Sequence, residues 1–171
     1  MLAKSPSRAG NRALLSLTAL YLMGCSVGNS SGVQSTPTAS EDVYLGVYDK
    51  NGAALSDAAA GVTLTCRDTV VPALLCVVGL EDALNASIAF ETNITDVTLP
   101  SRFADAHGLL VRALAHAARG FDLWIEALRD RDAAKLGDAH VELATASRLV
   151  HASFEAFPVD VRPAITEPLI G

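Results

Sequence analysis

The side chains able to do chemistry in this chain are few, and only one group of them converges on paper. His107 falls between Phe103 and Leu110, at a position where the surrounding spacing calls for an apolar residue. If the helix that carries it pairs antiparallel with the last helix, His151 comes close, while Asp105 is near in sequence but points elsewhere. Two histidines and a carboxylate are a plausible set for a divalent metal, and helical bundles build sites in this way. The plainer alternative is a helix-end histidine hydrogen-bonded to a carbonyl or carboxylate. No His-x-x-x-His or Glu-x-x-His pair occurs, so no metal is assigned, and His107 and His151 stand only as the places to look. His116 and His140 lack even that context. Asp138 and Glu142 share a helix face, but acid–base work would also need a pocket. The one Gly-x-Ser-x-Gly, Gly24 to Gly28, lies near the start of the chain in a Ser- and Gly-rich stretch rather than at a strand-to-helix turn, and Gly-rich phosphate loops are absent, which points to no cofactor and no enzymatic activity.

The elements that would position these groups are helices. Phe103, His107, Leu110, Leu114, Ala117, Phe121, Trp124 and Leu128 recur at alternating steps of four and three, the seam of a helix packed along its neighbours. Ser101 after Pro100 suits its N-cap, and Arg112, Arg119, Asp122 and Glu126 form its polar face. Trp124 and Phe121 are read as core rather than as pocket lining. Arg129-Asp130-Arg131-Asp132 marks a turn with Asp132 as a cap. A last helix follows, with Leu136, Leu143, Val150, Phe154 and Phe157 on one side and Pro158 ending it. Helices joined by so short a turn must be antiparallel neighbours. Between Pro72 and about Thr92, the spacing of Leu74, Val77, Leu84 and Ile88 predicts another helix, and 93–100 reads as a loop. Residues 41–66 are ambiguous. Val43–Tyr48 favours a strand by residue type, Asp49–Gly52 fits a hairpin turn or a helix end, and the alanines at 53–60 tip the reading to helix. The expected fold is all-α, an antiparallel bundle of three or four helices over 41–157, with a Pro-containing extended tail at 158–171.

The start of the chain has a different character. Lys4, Arg8 and Arg12 precede an apolar run from Ala13 to Met23, too short for the roughly 20 residues of a membrane span. It ends in Leu22-Met23-Gly24-Cys25, which resembles the lipobox of bacterial lipoproteins. That resemblance implies a signal peptide over 1–24 cut before Cys25, acyl chains on Cys25, and a lipid-anchored protein of the bacterial cell envelope outside the cytoplasm. Two or more acyl chains hold a protein stably on a bilayer where one does not. The Ser/Thr/Gly-rich stretch that completes 25–40 reads as a flexible tether. The segment Leu99–His107 and the charged turn also resemble alanine-rich helical lipoproteins of high-GC bacteria, which are largely of unknown function.

With Cys25 assigned to lipid, Cys66 and Cys76 remain. Outside the cytoplasm such a pair reads as a disulfide, the alternative being two buried thiols. Ten residues of continuous helix would separate them by about 15 Å, so a bond requires the chain to turn back, which Pro72 allows. All 19 acidic residues follow Cys25, while Lys4, Arg8 and Arg12 of the 13 basic ones precede it, leaving a net charge of −9 after the anchor. That charge argues against nucleic acid. The expected partners are the membrane, through Cys25, and an envelope protein or ligand. The function read from the sequence is a non-enzymatic interaction or structural module, with metal or small-ligand binding through His107, His151 and the acidic surface as the alternative.

Overall fold

The computed structural model describes residues 37–67 and 73–163. The leader, Leu22–Cys25 and Pro72 lie outside them. Four helices follow one another, α1 (Ala39–Arg67), α2 (Ala73–Thr95), α3 (Ala104–Asp130) and α4 (Ala133–Ala156), with 3₁₀ turns at Ser101–Phe103 and Val159–Val161. They pack antiparallel, each against the next, as an all-α bundle. None of the described helices is long and apolar enough to cross a membrane.

The α1 helix begins inside the stretch expected as tether. Thr38 and Glu41 form a reciprocal cap. The Thr38 N–H donates to Glu41 Oε2 at 2.6 Å, and the Glu41 N–H donates to Thr38 Oγ1 at 3.4 Å. Helix then runs unbroken through Asp49–Gly52, so neither a hairpin turn nor a helix end forms there. Its buried face, Tyr44, Tyr48, Leu55, Ala59 and Val62, keeps the four-three rhythm of a bundle seam. The β-type residues at 43–48 are helical because two tyrosines placed four apart land in the core, and packing overrides propensity.

The α2 helix turns a different face inward from the one expected. Leu74 and Ile88 are 71% and 48% exposed, and Val77 and Leu84 lie at the edge. The buried seam is Cys76, Leu80, Ala83, Ser87, Phe90 and Ile94. It was masked because it contains a cysteine, an alanine and a serine. The Ser87 hydroxyl is satisfied by donating to the Ala83 carbonyl at 2.9 Å. Cys66 and Cys76 are disulfide-bonded with their α-carbons 4.7 Å apart, tying the end of α1 to the start of α2. Around this bond Leu64, Leu74, Leu75 and Val78 are exposed. Further along the pair, Asn93 Nδ2 donates to Asn51 Oδ1 at 2.8 Å.

Ser101 is not the α3 N-cap. It opens the 3₁₀ turn instead, and α3 starts after Phe103 without a side-chain cap. Asp132 does cap α4, accepting from the N–H groups of Ala134 and Lys135, while Arg131 at φ 57° makes the tight turn before it. The tail is not wholly extended, since Pro158 leads into the second 3₁₀ turn.

The α3 seam is wider than the expected stripe. Ala106, Ala113 and Gly120 are buried alongside Leu110, Leu114 and Phe121. On α4 the buried set Ala139, Leu143, Ala146, Val150 and Ser153 likewise alternates small and large. The Ser153 hydroxyl donates to the Ala106 carbonyl at 2.7 Å. A Cβ on Gly120 would stand 3.2 Å from the Ala139 carbonyl oxygen and 2.7 Å from Leu143 Cγ. These two contacts fix the register. Ala106 lies opposite Ser153 and Gly120 opposite Ala139, which places Ala113 opposite Ala146.

Overpacking this seam should cost more than helix propensity returns. Gly120→Ala is expected to lower stability by about 1–2 kcal/mol in denaturant unfolding. Gly137→Ala, on the same pair of helices but with nothing within 4 Å of the added carbon, should raise it by up to about 1 kcal/mol. Equal effects of the two would contradict the close approach at Gly120.

Candidate functional site

At the end of the bundle where α1 and α3 start and α4 finishes, five aromatic side chains meet. Tyr44 packs on Phe103 with ring centroids 5.4 Å apart, Tyr48 on Phe90 at 5.6 Å and on Phe157 at 5.4 Å, and Phe103 on Phe157 at 5.2 Å. Tilted and edge-on contacts of this kind add to plain area burial. His107 belongs to this cluster. Its Nδ1 is 3.0 Å from the Tyr44 hydroxyl, a hydrogen bond that reaches from α3 to α1. Desolvation by the surrounding rings holds the His107 imidazole below its ordinary pKa.

The α3–α4 register brings His107 and His151 to the same level of the bundle, as expected. His107 nevertheless turns toward Tyr44, and His151 lies on the exposed side of α4. Among the described residues no three His, Cys, Asp or Glu side chains come together in a way that could hold a metal. The geometry therefore ties His107 to the aromatic core.

Beside the cluster is an ion-pair clasp. Glu41, only 4% exposed, accepts from Arg102 Nε at 3.0 Å, and Arg102 reaches Asp160 at 2.8 Å. Three segments distant in sequence are joined by one guanidinium, whose fork suits two carboxylates. Sequence reading missed this clasp. Its only available signal was Thr38-Ala39-Ser40-Glu41, the spacing of a capping box.

Among the described residues, the buried side-chain polar atoms have hydrogen-bond partners except for Tyr48 Oη, Ser56 Oγ and Arg162 Nε. The Tyr48 hydroxyl is buried without a hydrogen-bond partner. Burial, with the nearby charge of Asp49, pushes its pKa up to about 12, so it stays a neutral phenol across the physiological range.

A second group of polar side chains lies between the outer faces of α3 and α4. Glu142 accepts from Arg119 Nε at 3.1 Å and pairs through its other oxygen with His116 Nδ1. These residues, with Arg112 and Ala115, line an open depression of about 290 Å³. Glu142 is thus committed to α3 rather than paired with Asp138 for acid–base work. Nearer the Arg131 turn, Trp124 packs edge-on against His140 at 5.1 Å. Phe121 is core, and Trp124 is half-buried at its margin.

Comparison of the chain with known protein families, with curated proteins and with solved structures finds no match.

Two outcomes follow. A histidine held below its unfolded pKa binds fewer protons in the folded state, so its contribution is intact above about pH 6.5 and is lost as pH falls from there toward the lowered folded value. The melting temperature should therefore drop between pH 7.5 and pH 5.5, and His107→Gln should shrink that drop; an undiminished drop in the variant would remove His107 as the cause. Tyr48→Phe deletes an unsatisfied buried hydroxyl and should raise unfolding stability by about 1 kcal/mol, whereas a loss would show that the hydroxyl has a partner.

Proposed function

We propose that this chain is a lipid-anchored, non-enzymatic module of the bacterial cell envelope, held on the outer side of the cytoplasmic membrane or beyond through Cys25. The observation that carries the reading is the sequence Leu22-Met23-Gly24-Cys25 at the end of an apolar run with a basic start. The Cys66–Cys76 bond supports it, because disulfides persist in oxidising compartments. An acidic surface and the absence of a catalytic motif from the helical domain favour a role in contact or spacing over a reaction. Contact with an envelope protein is the task that fits best, since the helices fill their own core and leave only their outer faces to offer.

Anchoring is tested by growing bacteria that express the full chain in labelled palmitate. The wild-type chain should carry label and sediment with membranes. Cys25→Ser should lose the label and either stay uncut or leave the membrane fraction. Labelling that survives the substitution would overturn the assignment.

A further inference from the structure

A polar group joins the outer faces of α3 and α4. Glu142, with its side chain 23% exposed, holds two α3 side chains in place, pairing with His116 through Nδ1 and with Arg119 through Nε. A histidine fixed at Nδ1 by a carboxylate leaves Nε2 for another partner. An arginine engaged through Nε keeps its terminal nitrogens, and these match a carboxylate as a two-pronged donor. Arg112, one turn before His116, makes no ion pair among the described residues. It borders both the depression of about 290 Å³ at His116 and an adjoining one of about 420 Å³ formed by Ala104, Asp105, Gly108 and Leu109. Nothing lies within 4 Å of the position a Gly108 Cβ would take, so the second depression is open above Gly108.

The signs of charge select the ligand. A compact dianion would be drawn to Arg112 and Arg119 but would also face Glu142 and Asp105. A simple cation would meet the two arginines. A molecule with a negative end and a positive end satisfies both. Arg112 and Arg119 flank Ala115 in the first depression, about 15 Å along the α3 axis from Asp105, and five extended residues span about the same distance.

We propose that this surface binds a short extended peptide with free ends, its C-terminal carboxylate held by Arg112 and Arg119 and its N-terminal ammonium at Asp105. The site goes beyond anchoring at Cys25 and stands or falls separately from it.

The test is an NMR titration of the isotope-labelled full chain in detergent with pentaalanine. Saturable shifts are expected at Gly108, Arg112, His116 and Arg119. Amidating the peptide's C-terminus, or the Arg112→Ala substitution, should weaken binding at least tenfold, while Arg131→Ala, a change at an exposed arginine elsewhere, should leave it unchanged. N-acetylation should weaken binding of the wild type but not of Asp105→Asn. The proposal is overturned if pentaalanine gives no saturable shift or if the blocked peptides bind as well as the free one. Inorganic phosphate producing the same shifts at equal or lower concentration would overturn it too.

Discussion

Two helices that meet through alanine, glycine and serine must come close, or they leave voids that nothing fills. The α3–α4 pair takes the first course. Gly120 lets the Ala139 carbonyl and Leu143 in, and Ser153 reaches the Ala106 backbone directly. Because buried small residues recur every seven positions on both helices, Ala106, Ala113 and Gly120 facing Ser153, Ala146 and Ala139, a slide of either one would set methyl groups against backbone. The register of the whole second half of the chain is set by this fit, and every polar pairing between α3 and α4 inherits its position from it. Glu142 meets His116 and Arg119 only in that register.

The first half is fixed by different means. Its α1 helix is joined to α2 by the disulfide at one end and by Asn51 and Asn93 further along. Tyr44 and Tyr48 then insert α1 into the aromatic cluster made by Phe90, Phe103 and Phe157. Large side chains spaced four apart stabilise this end, where the small ones of α3 and α4 stabilise the other pair. A composition poor in aromatics is thus used economically, with most of the rings gathered in one place.

What the sequence disclosed follows the same division. The α3 stripe from Phe103 to Phe121, the Asp132 cap and the stop at Pro158 were readable because large apolar residues and special turn residues leave a periodic trace. The α2 seam was not, since Ala83 and Ser87 weigh little on any hydrophobic pattern while exposed Leu74 and Ile88 weigh heavily. The same blindness hid Ala106, Ala113 and Gly120. Residues 41–66 looked divided between strand and helix because β-branched and aromatic residues sit there, and only tertiary packing decides among them. The Arg102 clasp and the Glu142 group were out of reach for another reason. Both join side chains brought together by the register, and single-residue patterns do not encode which distant partner a charge will find. His107 was correctly singled out as unusual for its place, although its partner is a tyrosine on α1 rather than a second histidine.

The clasp also decides how the bundle answers a pull. The chain enters at Thr38, whose N–H is held by Glu41, and Glu41 is held in turn by Arg102 at the start of α3 and, through it, by Asp160 after α4. Tension applied at Thr38 is therefore shared at once among the first helix, the third and the turn beyond the fourth. Peeling α1 from its N-terminal end has to break the Arg102 pairs first and the Tyr44–His107 hydrogen bond next.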